Sequence, residues 1–234
     1  MLYIKRALAS TLGQKYLTAI TGIGLVIFVI FHFISNLMLF HPNPAIYNGL
    51  SNSLIELGSW LVLAEIGLLA IVVIHIVVAI RLKYLAMRAR PVAYVHKQSK
   101  QGPSKEGFSS TRLLLSGVVI LGFLIIHIAQ FKFGPNISEG YSTVIQGKTV
   151  RDLHRIVAET FKKSYWASFY FVCMILLGFH LRHGIWSLFQ SLGATNRRTT
   201  GPIYRIGTTL AVLVALGFAL MPIWFFIGLG GSGK

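Results

Sequence analysis

Five stretches of the chain, near residues 17–40, 57–86, 112–133, 164–190 and 203–229, are almost unbroken apolar sequence. Each reaches the roughly 20 residues that a helix needs to cross the hydrocarbon core of a bilayer. Lipid offers the backbone no water to bond, so every N–H and C=O must be satisfied within the segment. Runs of this length are therefore helices rather than open strands. The alternation that marks a barrel strand is absent, which argues against a membrane barrel. The expected fold class is an all-α membrane protein with five transmembrane helices. It forms one membrane domain over residues 1–234, with no separable soluble domain. A composition that is 54% hydrophobic and 12% charged agrees.

The formal net charge of +16 calls for a physical account. With the N-terminus placed in the cytoplasm, 15 of the 22 Lys and Arg fall on the cytoplasmic side of the spans and 7 on the other. The only acid on the cytoplasmic side is Glu106. The positive-inside bias thus sets N-in, C-out, and it explains most of the basicity. Little is left to suggest nucleic acid; anionic membrane lipid or an acidic partner is the expected counter-charge. The basic N-terminal stretch lacks a small-residue cleavage site after a short apolar core, so it reads as mature sequence rather than a signal peptide. Cys173 is the single cysteine, lies in an apolar run and reads as core filling. There is no C-x-x-C-H for covalent haem attachment.

Between spans, "HPNPAIYNGLSNS" reads as a short external connection. "RARPVAYVHKQSKQGPSKEGFSS" reads as a basic cytoplasmic one, and "TVRDLHRIVAETFKK" as an amphipathic interfacial helix. The terminal "GLGGSGK" matches the start of a phosphate-loop pattern but lacks its Ser/Thr and reads as a flexible tail.

A weak internal repeat runs through the spans. Thr21-Gly22 precedes His32 in span one as Ser116-Gly117 precedes His127 in span three. His75 in span two and His180 in span four are each followed four residues later by a small residue, Ala79 and Gly184. Spans one and two therefore parallel spans three and four, while span five has no counterpart.

Helix rise gives the depth of these histidines. At about 1.5 Å per residue, His32 and His127 lie roughly 25 and 22 Å along spans entering from the cytoplasm. His75 and His180 lie roughly 27 and 24 Å along spans entering from outside. Four histidines on four helices thus sort into two couples, one toward the outer part of the membrane and one toward the cytoplasmic part. Ionisable groups inside a membrane are functional candidates. Neutral imidazole binds iron well, and two facing histidines supply both axial ligands of a b-type haem. Zinc favours three or four clustered ligands, and a proton relay favours carboxylates beside the histidines; neither suits two couples. His180 and His183 compete for one position. His180 is deeper and matches His75, so iron is expected on His180 and a polar or propionate contact on His183. His41, His96 and His154 lie in connections and read as solvated.

Four stretches then carry a resemblance: "KYLTAITGIGLVIFVIFHFISN" (15–36), "HIVVAIRLKYLAMRARPVAY" (75–94), "SGVVILGFLIIHIAQF" (116–131) and "GFHLRHGIWSLFQSLG" (178–193). They resemble the cytochrome b membrane-anchor subunit of succinate dehydrogenases and fumarate reductases, in its bacterial single-subunit form with five helices and two haems. The last stretch is the most specific, with His-x3-Gly-x-Trp on the fourth helix. Ser35 departs mildly from the glycine expected before Asn36.

The resemblance implies two haem b groups, the distal on His32 and His127 and the proximal on His75 and His180. It implies a flavoprotein and an iron–sulfur subunit docked on the cytoplasmic face, with the basic loop 81–112 as part of the docking surface. It also implies menaquinone as bound substrate and a bacterial cytoplasmic membrane as location. The chain itself would hold no site for succinate. Arg81, Lys83 and Arg182 suit either haem propionates or snorkelling to the interface. Glu56 and Glu65, the only acids on span two, are the candidates for proton exchange with quinone. The rival readings are the cytochrome b of a hydrogenase or formate dehydrogenase, which lacks the His-Leu-Arg-His-Gly-Ile-Trp motif, and a haem-free transporter or scaffold.

Overall fold

A computed structural model of the chain describes residue 6 and residues 9–89 and 113–230. Most of the basic loop 81–112, His96, and the end of the glycine-rich tail lie outside the described residues. Among the described residues five helices are long and apolar enough to cross a membrane. They are α1 (Thr11–Asn36, extended by a 3-10 turn, Leu37–Phe40), α3 (Ser59–Arg88), α4 (Leu113–His127, continued by a π turn, Ile128–Lys132), α6 (Ser164–Ser191) and α7 (Thr200–Phe226). The fold class is thus an all-α membrane protein. Large apolar side chains along these helices face outward, Trp60 at 73% and Leu69 at 62% exposure among them. Water would oppose such a surface, whereas lipid tails accept it.

The observed helix ends differ from the apolar runs by a few residues. The run near 17–40 starts at Thr11, because the polar stretch before Tyr16 is also helical and buries Gln14. The run near 57–86 starts at Ser59, because Gly58 has φ +55°, a conformation that favours glycine and separates two helices.

The connection expected as a loop after span one holds the 12-residue helix α2 (Pro44–Ile55). Asn43 caps it, its side chain accepting from Ala45 N, and Pro44 fits the first turn because no N–H is needed there. The amphipathic segment before span four is α5 (Leu153–Phe161), which buries His154, Ile156, Val157, Ala158 and Phe161. His154 is therefore buried rather than solvated. Between α4 and α5 lies a hairpin of β1 (Ser142–Ile145) and β2 (Lys148–Arg151), pairing Ser142 with Arg151 and Ile145 with Lys148. Gln146 and Gly147 turn it with φ of 50° and 78°, the twist a two-residue hairpin loop requires.

The chain divides into two compact units. One comprises Met1–Phe28, Ile66–Gly117 and Phe179–Val212; the other comprises Val29–Glu65, Val118–Gly178 and Leu213–Lys234. All five long helices contribute to both. In the first unit, Ile185 presses so closely on Gly207 that an added Cβ would lie 2.8 Å from it. In the second unit, Gly217 is covered by the Phe33 ring and tolerates no side chain. The second unit's core gathers Leu39, Tyr47, Val157, Phe161, Tyr170, Met221 and Phe225. Cys173 is buried there beside Met174 and Ala219, as core filling.

One amide ties α2 to α5. Asn48, 1% exposed, donates from Nδ2 to Asp152 Oδ1 at 2.8 Å and accepts from His154 N at 2.9 Å. Asp152 Oδ1 also accepts from Arg155 N at 3.0 Å and so caps α5. Replacing Asn48 by Ala leaves a buried N–H without an acceptor and is expected to cost about 1–3 kcal/mol. A lowered thermal midpoint of the detergent-solubilised protein is the expected readout; an unchanged midpoint contradicts this account of the α2–α5 contact.

Candidate functional site

The first unit holds His75 on α3 and His180 on α6. His75 Nδ1 lies 3.2 Å from Thr21 Oγ1 on α1, and His180 Nδ1 lies 3.1 Å from Ser116 Oγ on α4. Each hydroxyl has one proton to give. Thr21 directs it to Leu17 O at 2.8 Å, and Ser116 to Leu113 O at 2.9 Å. With its proton on the carbonyl, each hydroxyl oxygen can accept from Nδ1–H, the tautomer that would leave the lone pair on Nε2. An acceptor behind one ring nitrogen orients the other toward a metal.

The glycine after each hydroxyl repeats as well. A Cβ added at Gly22 would lie 3.7 Å from His75 Cε1, and one at Gly117 would lie 3.6 Å from His180 Cε1. The Thr-Gly and Ser-Gly pairs seen in the sequence thus have a shared geometry. They serve a histidine on another helix, not the one ten residues further along their own.

His183, one turn beyond His180, makes no hydrogen bond to another described residue, which favours His180 over it as the oriented ring. Arg182 Nη2 donates to Tyr204 OH on α7, and the guanidinium sits 5.4 Å from that ring's centroid. Trp186 meets the same ring edge-on at 5.9 Å. Arg81 is exposed on α3.

The second unit holds His32 on α1 and His127 on α4, with ring centroids 5.8 Å apart and planes at 88°. This is an edge-type ring contact, and these are the two residues of this unit that would hold a metal. His127 stacks on Phe123 at 5.5 Å and meets Phe131 at 5.2 Å, while His32 lies 5.8 Å from Phe218. Asn36 Nδ2 donates to His32 O at 2.7 Å and lies 3.4 Å from both ring nitrogens. Its Oδ1 accepts from Tyr47 OH at 3.3 Å. Burial pushes the Tyr47 phenol up, so it stays a donor. Tyr170 OH donates to Gln130 Oε1 at 2.6 Å and lies 3.5 Å from His127 Nδ1.

The two carboxylates of interest are both ion-paired. Glu65, within α3, pairs with Lys132 at the end of the π turn. Glu56 follows α2 and pairs with Lys148 at 2.9 Å. The Lys148 hydrogen bond, then its charge, holds the Glu56 carboxyl below its ordinary value. Among the described residues no three of His, Cys, Asp and Glu converge as a metal site would require.

The structure thus joins His32 to His127 and gives His75 and His180 matching partners. Thr21, Ser116, Asn36, Tyr170, Gln130 and Tyr204 were not singled out for side-chain roles by the sequence. Only the repeated hydroxyl-glycine pair carried a signal. Compared with known proteins, the chain matches no family model, no curated protein and no solved structure.

Replacing Thr21 by Val removes the acceptor for His75 Nδ1–H and is expected to destabilise the protein by about 1–3 kcal/mol, whereas Thr21→Ser keeps most of it. Denaturant unfolding of the three proteins checks this. Equal stability of the Val variant and the wild type would show that the hydroxyl does not hold the ring.

Proposed function

We propose that the chain is the membrane-anchor cytochrome b subunit of a succinate:quinone oxidoreductase. It would pass electrons between an iron–sulfur subunit and menaquinone in a bacterial cytoplasmic membrane. The observation that carries this reading is the pairing of four histidines on four spans. One couple meets edge-on with ring centroids 5.8 Å apart, and both members of the other have a hydroxyl within hydrogen-bond distance of Nδ1.

The residues fit b-type haem. Neutral imidazoles with Nε2 lone pairs suit iron, and the surrounding apolar helices exclude water. His75 and His180 would hold one haem, and His32 and His127 the other. When bound, the two haems supply a one-electron path through an interior that charge crosses only at high cost. The protein's own part is to fix tautomers, orient rings and keep the interior dry. Thr21 and Ser116 do the first for His75 and His180. Phe123, Phe131 and Phe218 wall the His32–His127 couple with apolar surface. Arg182, braced by Tyr204, is the basic group beside His183 and suits a propionate carboxylate.

A flavoprotein and the iron–sulfur subunit would complete the enzyme, since succinate chemistry needs groups this chain lacks in the pattern of its sequence. The resemblance implies docking on the cytoplasmic face, which the positive-inside bias makes the basic one. For the quinone, Glu65 is the better of the two acids. It lies within a span, whereas Glu56 precedes it; both are ion-paired, Glu65 with Lys132 and Glu56 with Lys148.

A reduced-minus-oxidised visible spectrum of the purified chain is expected to show b-type bands at about two haems per chain. Absence of such bands would defeat the reading. His180→Ala is expected to lose one haem and His183→Ala to keep both; the reverse result would move the ligand to His183.

A further inference from the structure

Among the described residues, no serine or threonine meets His127 as Thr21 and Ser116 meet His75 and His180. The His127 Nδ1 faces instead the hydroxyl of Tyr170, a side chain 4% exposed on α6. At 3.5 Å this is the outer edge of hydrogen-bond reach. The direction of that contact is decided elsewhere, because Tyr170 gives its one proton to Gln130 Oε1 at 2.6 Å.

The local backbone holds Gln130 in place. The helix widens into a π turn directly after His127, over Ile128–Lys132. Arg151 pins that turn, donating from Nη1 to Phe131 O at 2.8 Å and from Nε to Pro135 O at 2.7 Å. Gly134 closes it, since a Cβ there would overlap Gln130 O. A π turn inside a helix often marks a functional position.

We infer that Gln130 and Tyr170 are positioning residues for His127. Gln130 takes the phenol proton, so that Tyr170 offers His127 Nδ1 a lone pair and leaves Nε2 free to ligate. The inference rests on the proposed haem reading. It differs from the Thr21 and Ser116 cases in one testable way. Those hydroxyls give their protons to backbone carbonyls, which no substitution removes, whereas Tyr170 gives its proton to a replaceable side chain. Without Gln130, the phenol proton is free to turn to Nδ1. The imidazole then carries its own proton on Nε2, the wrong nitrogen for the metal.

The test uses the purified full-length chain and three variants, reading haem per chain and the midpoint potential of each haem. Gln130→Met keeps the volume without an acceptor and is expected to lose haem from one site. Tyr170→Phe removes the phenol, so no proton competes. It is expected to keep both haems while the potential of one rises, because an imidazole whose N–H lacks an acceptor is a poorer donor to iron. The double variant is expected to regain the haem that Gln130→Met loses. A double variant with as little haem as Gln130→Met, or with less, would mean that both residues only fill space and would overturn the inference. So would an unchanged potential in Tyr170→Phe. A wild-type chain without haem overturns the parent reading as well. Loss of one haem in His127→Ala, alongside unaffected Gln130 and Tyr170 variants, overturns the inference alone.

Discussion

An imidazole placed in hydrocarbon has two nitrogens to satisfy, and everything around the four span histidines follows from that. Each unmet polar group in such surroundings costs several kcal/mol or finds a partner. The chain gives His75 and His180 one partner each from a neighbouring helix. That partner is a hydroxyl whose proton already belongs to a carbonyl one turn back. The arrangement is economical because the same serine or threonine meets its own needs and fixes the ring. In the proposed haem reading, the lone pair on the far nitrogen is what the iron would take.

Charge is handled by moving it to the ends. The ion pairs Glu56–Lys148 and Arg155–Glu159 lie outside the long helices, and Glu65–Lys132 joins a carboxylate on α3 to the last residue of the π turn. Arg151 meets Phe131 O of the π turn and Pro135 O just beyond it, where a positive group also complements the helix C-terminus. The small helices α2 and α5 and the hairpin therefore do more than join spans. The hairpin's Arg151 donates to Phe131 O in the π turn, and its Lys148 pairs with Glu56 just after α2.

The spans were legible because bilayer thickness sets one length and lipid permits one backbone solution. Their ends were less legible. Gly58 stops α2 by its backbone conformation, and the polar residues before Tyr16 continue α1 by local hydrogen bonds, neither of which hydropathy registers. Helix α2 was hidden by its Asn, Ser and Pro content, although Asn43-Pro44 is a helix-start signal. The hairpin strands have four residues each, too few for alternation to stand out. His154 looked solvated by its place in a connection, yet the amphipathic face of α5 turns it into the core. For the candidate site, the hydroxyl-glycine repeat was visible but its partner was not. Period along one helix says nothing about which ring on another helix it will meet. Tyr170 and Gln130 come together only through a π turn, and no sequence pattern announces one.

Asn48 has one further implication, for the order in which the molecule is made. Its amide partners lie 104 and 106 residues downstream. A chain emerging from the ribosome must carry α2 with that amide unsatisfied until two more spans have been synthesised. The α2–α5 junction can therefore close only after the third span has been made. A nascent chain that ends before residue 152 leaves the Asn48 amide without these two partners.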